Sequence, residues 1–179
     1  MNKRKIFILI SRFSDNGTRV IEPLIGCYYP HTSIGLEEDL NTFYSFVTKG
    51  FIVEEITRYV KSEREPYPCR LYELEVSEIV YNNIKDILEN FVRNKSIWRY
   101  TKLGIVLGLL HIPYKRDRYS YFCSQFVADV LQNSGAVKLK KRSYHCFSPD
   151  LMELPTIKLQ FEGNMKTMIK HYGLMPHCA

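Results

Sequence analysis

Apolar and polar residues along this chain follow two periods, and the switches between them mark the elements. The unbroken apolar run Ile6-Phe7-Ile8-Leu9-Ile10, closed by Ser11-Arg12, predicts a buried first strand. Ser14-Asp15-Asn16-Gly17 then predicts a turn, and residues 18–26 a helix that Pro23 limits to a turn or two. Two short runs rich in β-branched and aromatic residues, 28–36 and 40–47, flank Glu37-Glu38-Asp39 and predict a hairpin. Residues 51–56 predict another extended piece, 61–68 a charged loop at the rim of a cleft, and 70–76 a central antiparallel strand. After Ser77, a candidate N-cap, the period becomes helical: Ile79, Val80, Ile84, Ile87, Leu88, Phe91 and Val92 form one stripe. Residues 103–110 are apolar on every side. A bilayer span takes about 20 residues, so this stretch predicts a buried helix, with an acyl-chain groove or a peripheral membrane contact as the alternatives. Gly135 predicts a helix stop, Ser148-Pro149-Asp150 a helix start, and residues 156–179 a last strand with a polar tail.

Between these elements lies Tyr121-Phe122-Cys123-Ser124-Gln125-Phe126-Val127-Ala128-Asp129-Val130-Leu131. Phe126, Val127, Val130 and Leu131 recur at helical spacing from Cys123, which puts the thiol in the first turn of a buried helical face. Unpaired N–H groups and the positive end of the helix dipole stabilise a thiolate there and lower its pKa. The partner candidate is His31, in Tyr28-Tyr29-Pro30-His31-Thr32-Ser33-Ile34-Gly35-Leu36. With Glu37 to Asp39 as the turn, Leu36 faces Leu40 and His31 falls opposite Ser45, close enough for a hydroxyl to orient an imidazole. Cysteine, imidazole and a polar orienter are the parts of a thiol hydrolase. Tyr121 and Tyr119, with Ser124 beside the nucleophile, are candidates for oxyanion or substrate contacts, next to the backbone N–H of Cys123. His145 is the rival base, without a strand setting like that of His31.

The order His-Thr-Ser-Ile-Gly, Phe-Tyr-Ser-Phe, Phe-Cys-Ser-Gln-Phe-Val-Ala resembles the circularly permuted papain-like cysteine hydrolases, relatives of the NlpC-type cell-wall peptidases and of lecithin:retinol acyltransferase. It is most similar to the bacterial YiiX/YaeF-like permuted amidases, over about residues 6–154. The resemblance implies an α+β fold, papain-like with permuted topology, in which a small antiparallel sheet packs against helices in a single domain over residues 1–179. It implies Cys123 as nucleophile and His31 as base, and it puts Ser45 where the family carries His, Gln, Asn or Glu. A hydroxyl cannot compensate the charge of an imidazolium, so Asn41 and Glu37 stand in reserve. The implied activity is amide or peptide hydrolysis through a thioester; the alternatives are a lipid acyltransferase or phospholipase and a catalytically inactive binding scaffold.

Composition narrows the rest. At 179 residues, 45% apolar and 13% aromatic, the chain suits one packed domain and argues against disorder. Cys27, Cys69, Cys123, Cys146 and Cys178 include no C-x-x-C pair, so no zinc site is expected, and acyl transfer to water calls for no other cofactor. The basic opening Lys3-Arg4-Lys5 precedes an apolar run too short for a signal peptide, which predicts a cytoplasmic protein with reduced thiols. The net charge of +6 is dispersed and no nucleic-acid motif accompanies it, so no specific nucleic-acid partner is expected and a peripheral contact with an anionic membrane is an alternative, while the resemblance implies a small peptide, amide or acyl-lipid substrate.

Overall fold

A computed structural model describes residues 3–12, 26–61, 67–112 and 117–174. The turn and short helix expected before Gly26 lie outside these residues, as do most of the charged loop before Pro68 and part of the basic, aromatic loop after His111. Eight strands are present: β1 (Lys3–Ser11), β2 (His31–Leu36), β3 (Thr42–Val47), β4 (Gly50–Glu55), β5 (Pro68–Ser77), β6 (Arg99–Tyr100), β7 (Ser120–Tyr121) and β8 (Ile157–Asn164). Six of them form an antiparallel sheet in the order β4-β3-β2-β1-β5-β8, while β6 and β7 pair in parallel beside it. The helices are α1 (Glu78–Arg93), α2 (Lys102–Leu109), α3 (Cys123–Asn133), α4 (Ser148–Met152) and α5 (Met165–His171). The fold is α+β.

The uninterrupted apolar run of β1 is explained by its place in the sheet, paired on both sides and covered on both faces. Ile6, Ile8 and Ile10 join Ile34, Phe46, Phe51, Leu74 and the buried sides of α1 and α3 in one core. Phe7 and Leu9 join Phe43, Ile56, Leu71 and the α5 residues Met165, Met168 and Ile169 in a second. Ser77 caps α1, its hydroxyl accepting the N–H of Val80 at 3.3 Å. The buried stripe of α1 is Tyr81, Ile84, Leu88 and Phe91; Ile79 and Val92, expected inside, are exposed because that stripe already fills the face toward the sheet.

Two expectations are corrected. The segment after Lys102 is a helix, but Leu103, Val106 and Leu110 are exposed and its buried residues are Gly104, Ile105 and Gly108. Close approach dictates this orientation: a Cβ on Gly108 would lie 2.6 Å from the Tyr144 carbonyl oxygen, so only a glycine face packs there. The end of the chain is more than a strand and a tail, for Asn164 accepts the N–H of Thr167 and starts α5, which packs beneath the sheet. No helix among the described residues is long and apolar enough to cross a membrane.

Candidate active site

Cys123 is the first residue of α3, and Phe122 before it supplies no side-chain cap to the first turn. The helix packs against β2, which brings its N-terminus to the beginning of that strand. There the Cys123 thiol donates to the Pro30 carbonyl at 3.6 Å and is hydrogen-bonded to the His31 side chain. His31 opens β2 opposite Ser11 of β1, at the end of the sheet. Its Nε2 meets Glu54 Oε1 at 3.0 Å, which leaves Nδ1 for the sulfur. The second carboxylate oxygen of Glu54 accepts the Tyr59 hydroxyl at 3.0 Å. The result is a buried line from Cys123 through His31 and Glu54 to Tyr59, in which the His31 and Glu54 side chains are 9% and 5% exposed.

Burial by itself would lower the His31 pKa, but the Glu54 carboxylate and the adjoining Cys123 sulfur more than reverse this and raise it to about 10. Burial likewise pushes a thiol up. At Cys123 the hydrogen bond and charge of His31, joined by the N–H groups of Thr32 and Ser124, overcome that and bring the thiol below its ordinary value. The other buried cysteines show what happens without such neighbours: burial takes Cys69 up to about 12, and burial reinforced by Asp150 takes Cys146 up to about 11. Both shifts favour transfer of the thiol proton from Cys123 to the His31 imidazole.

The predicted orienter is not Ser45. Its hydroxyl donates to the Thr32 carbonyl at 2.7 Å, and the ladder pairs Ile34 with Tyr44 and Gly35 with Phe43, two residues away from the expected register. Leu40 and Asn41 belong to the connecting loop, which Asp39 holds by accepting from the Asn41 N–H and the Thr42 hydroxyl. In the observed register Glu54 stands across β3 from Phe43, whose ring lies over Gly35 so closely that a Cβ there would be 2.8 Å away. Ser45 sits between the levels of His31 and Glu54, and its small, fully buried side chain leaves room for imidazole and carboxylate to meet. The reserves are engaged elsewhere: Glu37 accepts from Arg4 and the Lys5 N–H, and the Asn41 side-chain Oδ1 accepts the Thr57 N–H.

The other expected contacts separate in the same way. The Ser124 hydroxyl donates to the Cys146 carbonyl at 3.0 Å and fixes the helix start to the turn that follows Ser143–His145. Tyr121 is packed among Phe46, Phe91, Trp98 and Phe126, and Tyr119 packs against Trp98, so both rings belong to an aromatic cluster rather than to the thiol. His145 bonds through Nδ1 to the Gly108 carbonyl and stacks on His111, not beside Cys123. Next to Pro30, Tyr28 is half exposed, with the Arg12 guanidinium over its ring, and Tyr29 lies under Arg70. These aromatic and cationic residues pair with one another just before Pro30 in the chain and around it. No group of three or more metal-ligating side chains occurs among the described residues.

Glu54 and Tyr59 are the two members of the line that the sequence did not disclose. The available signal was the carboxylate pair Glu54-Glu55, which closes a strand that begins with the apolar run Phe51-Ile52-Val53 and directly follows the turn after Val47. A scan against protein-family models finds no match to this chain, and a search of curated proteins finds no relative.

Proposed function

We propose that this protein is a cysteine-dependent hydrolase of the permuted papain-like kind, acting on a peptide or other amide through a thioester. The observation that carries the reading is the buried contact of Cys123, at the start of a helix, with an imidazole held by Glu54 at 3.0 Å. The order of parts also supports it, since the strand bearing His31 precedes the helix bearing Cys123 and packs against it. A thiol bonded to an imidazole favours an enzyme over an inert binding scaffold.

The chemistry follows from the charges. The Cys123 thiolate attacks the amide carbonyl carbon, and the negative oxygen that develops is met by N–H groups of the first turn of α3. Collapse of this intermediate breaks the C–N bond as the His31 imidazolium gives its proton to the leaving amine. His31, now neutral, takes a proton from water; the hydroxide formed attacks the thioester, releases the carboxylic acid and restores the thiolate and imidazolium. Glu54 is a positioning residue that compensates the imidazolium charge, which Ser45 could not do.

The test is alkylation by iodoacetamide at a series of pH values, with mass spectrometry at each cysteine, in the native chain and in His31→Ala. Selective labelling of Cys123 at neutral pH that the variant loses is the expected result. Incubation with an activated acyl ester should then leave one acyl group on Cys123. Labelling of Cys123 only near the ordinary thiol range of about 8.5, with no acyl adduct, would overturn the proposal.

A further inference from the structure

Helix α2 is apolar all round, and the fold turns most of its larger side chains outward. Gly104, Ile105 and Gly108 face inward, with Gly108 against the Tyr144 backbone and the Phe147 ring. Leu103 (66% exposed), Val106 (46%) and Leu110 (62%) face outward, with Leu107 half-buried on the same side. The spacing of these four, at i, i+3, i+4 and i+7, makes one stripe along the helix, and Ile112 extends it at 43% exposure. Burying leucine and exposing glycine would be the ordinary arrangement, and here the fold does the reverse.

Cations flank this helix along the sequence: between Phe91 and Ala128 the chain carries seven lysines and arginines against one acid, Asp117. Arg99, Lys102 and Arg118 are exposed, and Asp117 lies within the electrostatic reach of Arg99 and Arg118. Lys102 occupies the first turn of α2, where no acid complements the helix dipole and a cation weakens the helix. The packing partner on the inner side adds Arg142, exposed and bonded to the Tyr144 hydroxyl.

From these two features we infer that the α2 face docks on an anionic phospholipid membrane. Leucines enter the boundary between headgroups and acyl chains while the flanking cations meet lipid phosphates and carboxylates, the combination by which short helices lie in an interface. A helix of eight residues spans about 12 Å and lies along the surface rather than crossing it. The face is also joined to the thiol: Phe147, which packs over Gly108, stacks on Phe122 at 5.4 Å, and Phe122 immediately precedes Cys123. Docking holds the candidate active site close to the lipid surface.

The test is sedimentation with vesicles of pure phosphatidylcholine and of phosphatidylcholine containing phosphatidylserine, at low and high salt. The native chain should pellet with the anionic vesicles, at least about tenfold more than with the neutral ones, and less at high salt. Leu103→Asp with Leu110→Asp, and separately Arg99→Glu with Lys102→Glu, should each lower the bound fraction about tenfold while the circular dichroism spectrum is kept. Absence of pelleting, or equal pelleting with both compositions, overturns the inference. So does a dimer in sedimentation velocity that the leucine variant abolishes, which would give this face to a second copy of the chain.

Discussion

Replacing Glu54 by glutamine keeps the shape of the side chain and its acceptor for the Tyr59 hydroxyl, and removes the charge. At the observed 3.0 Å, with an effective dielectric constant of about 20, the Coulomb attraction between carboxylate and imidazolium is about 5 kcal/mol. Desolvation of both groups offsets part of this, and an opposite charge at such range is commonly worth about one to three pKa units. The His31 pKa, raised to about 10 in the native chain, should therefore fall to between about 7 and 9 in Glu54→Gln, a loss of about 1.4–4 kcal/mol. Two-dimensional nuclear magnetic resonance of the imidazole nitrogens reads this directly, with His31→Gln assigning the resonance. Any hydrolytic activity should lose its alkaline limb by the same number of units. Ser45→Ala is the control, because its hydroxyl bonds to the Thr32 carbonyl and not to the ring. An unchanged titration in Glu54→Gln, or an equal displacement in Ser45→Ala, would refute the assignment of Glu54.

Other outcomes follow from the same structure. A folded-state His31 pKa above its unfolded value contributes stability that is complete below pH about 6.5 and is lost as pH rises through about 10; urea unfolding should show this loss in the native chain and not in His31→Gln. Tyr59→Phe leaves one Glu54 oxygen without its donor and should cost about 1–3 kcal/mol in urea unfolding, while an unchanged midpoint would remove Tyr59 from the line. Gly108→Ala forces a methyl against the Tyr144 carbonyl and should destabilise by about 1–3 kcal/mol, with a native-like midpoint counting against the close packing of α2.

Short-range pattern carried much of the architecture. The apolar run of β1, the Ser77 cap and the helix beginning at Cys123 are each set by neighbours within one or two turns, and each was readable in the sequence. What failed depended on longer connections. The hairpin register slipped by two because the bonds from Asp39 draw Leu40 and Asn41 into the loop, a detail that strand propensity does not encode. Glu54 was hidden because its partner lies 23 residues away and two strands over, so only the assembled sheet brings them together. In residues 103–110 the apolar character was plain, but its direction was decided by two glycines and the backbone of Tyr144. The closing helix had a readable pattern in Met165, Met168 and Ile169, at i, i+3 and i+4, preceded by an asparagine cap.

The thiol and the carbonyl that receives its hydrogen bond are separated by 93 positions in the chain. Every group that activates Cys123, apart from the first turn of its own helix, arrives from the other end of the folding process. An unfolded molecule therefore carries an ordinary thiol, and the lowering of the Cys123 pKa depends on completion of the tertiary structure. On the proposed reading, that coupling turns mild-pH labelling of Cys123 into a count of correctly assembled molecules.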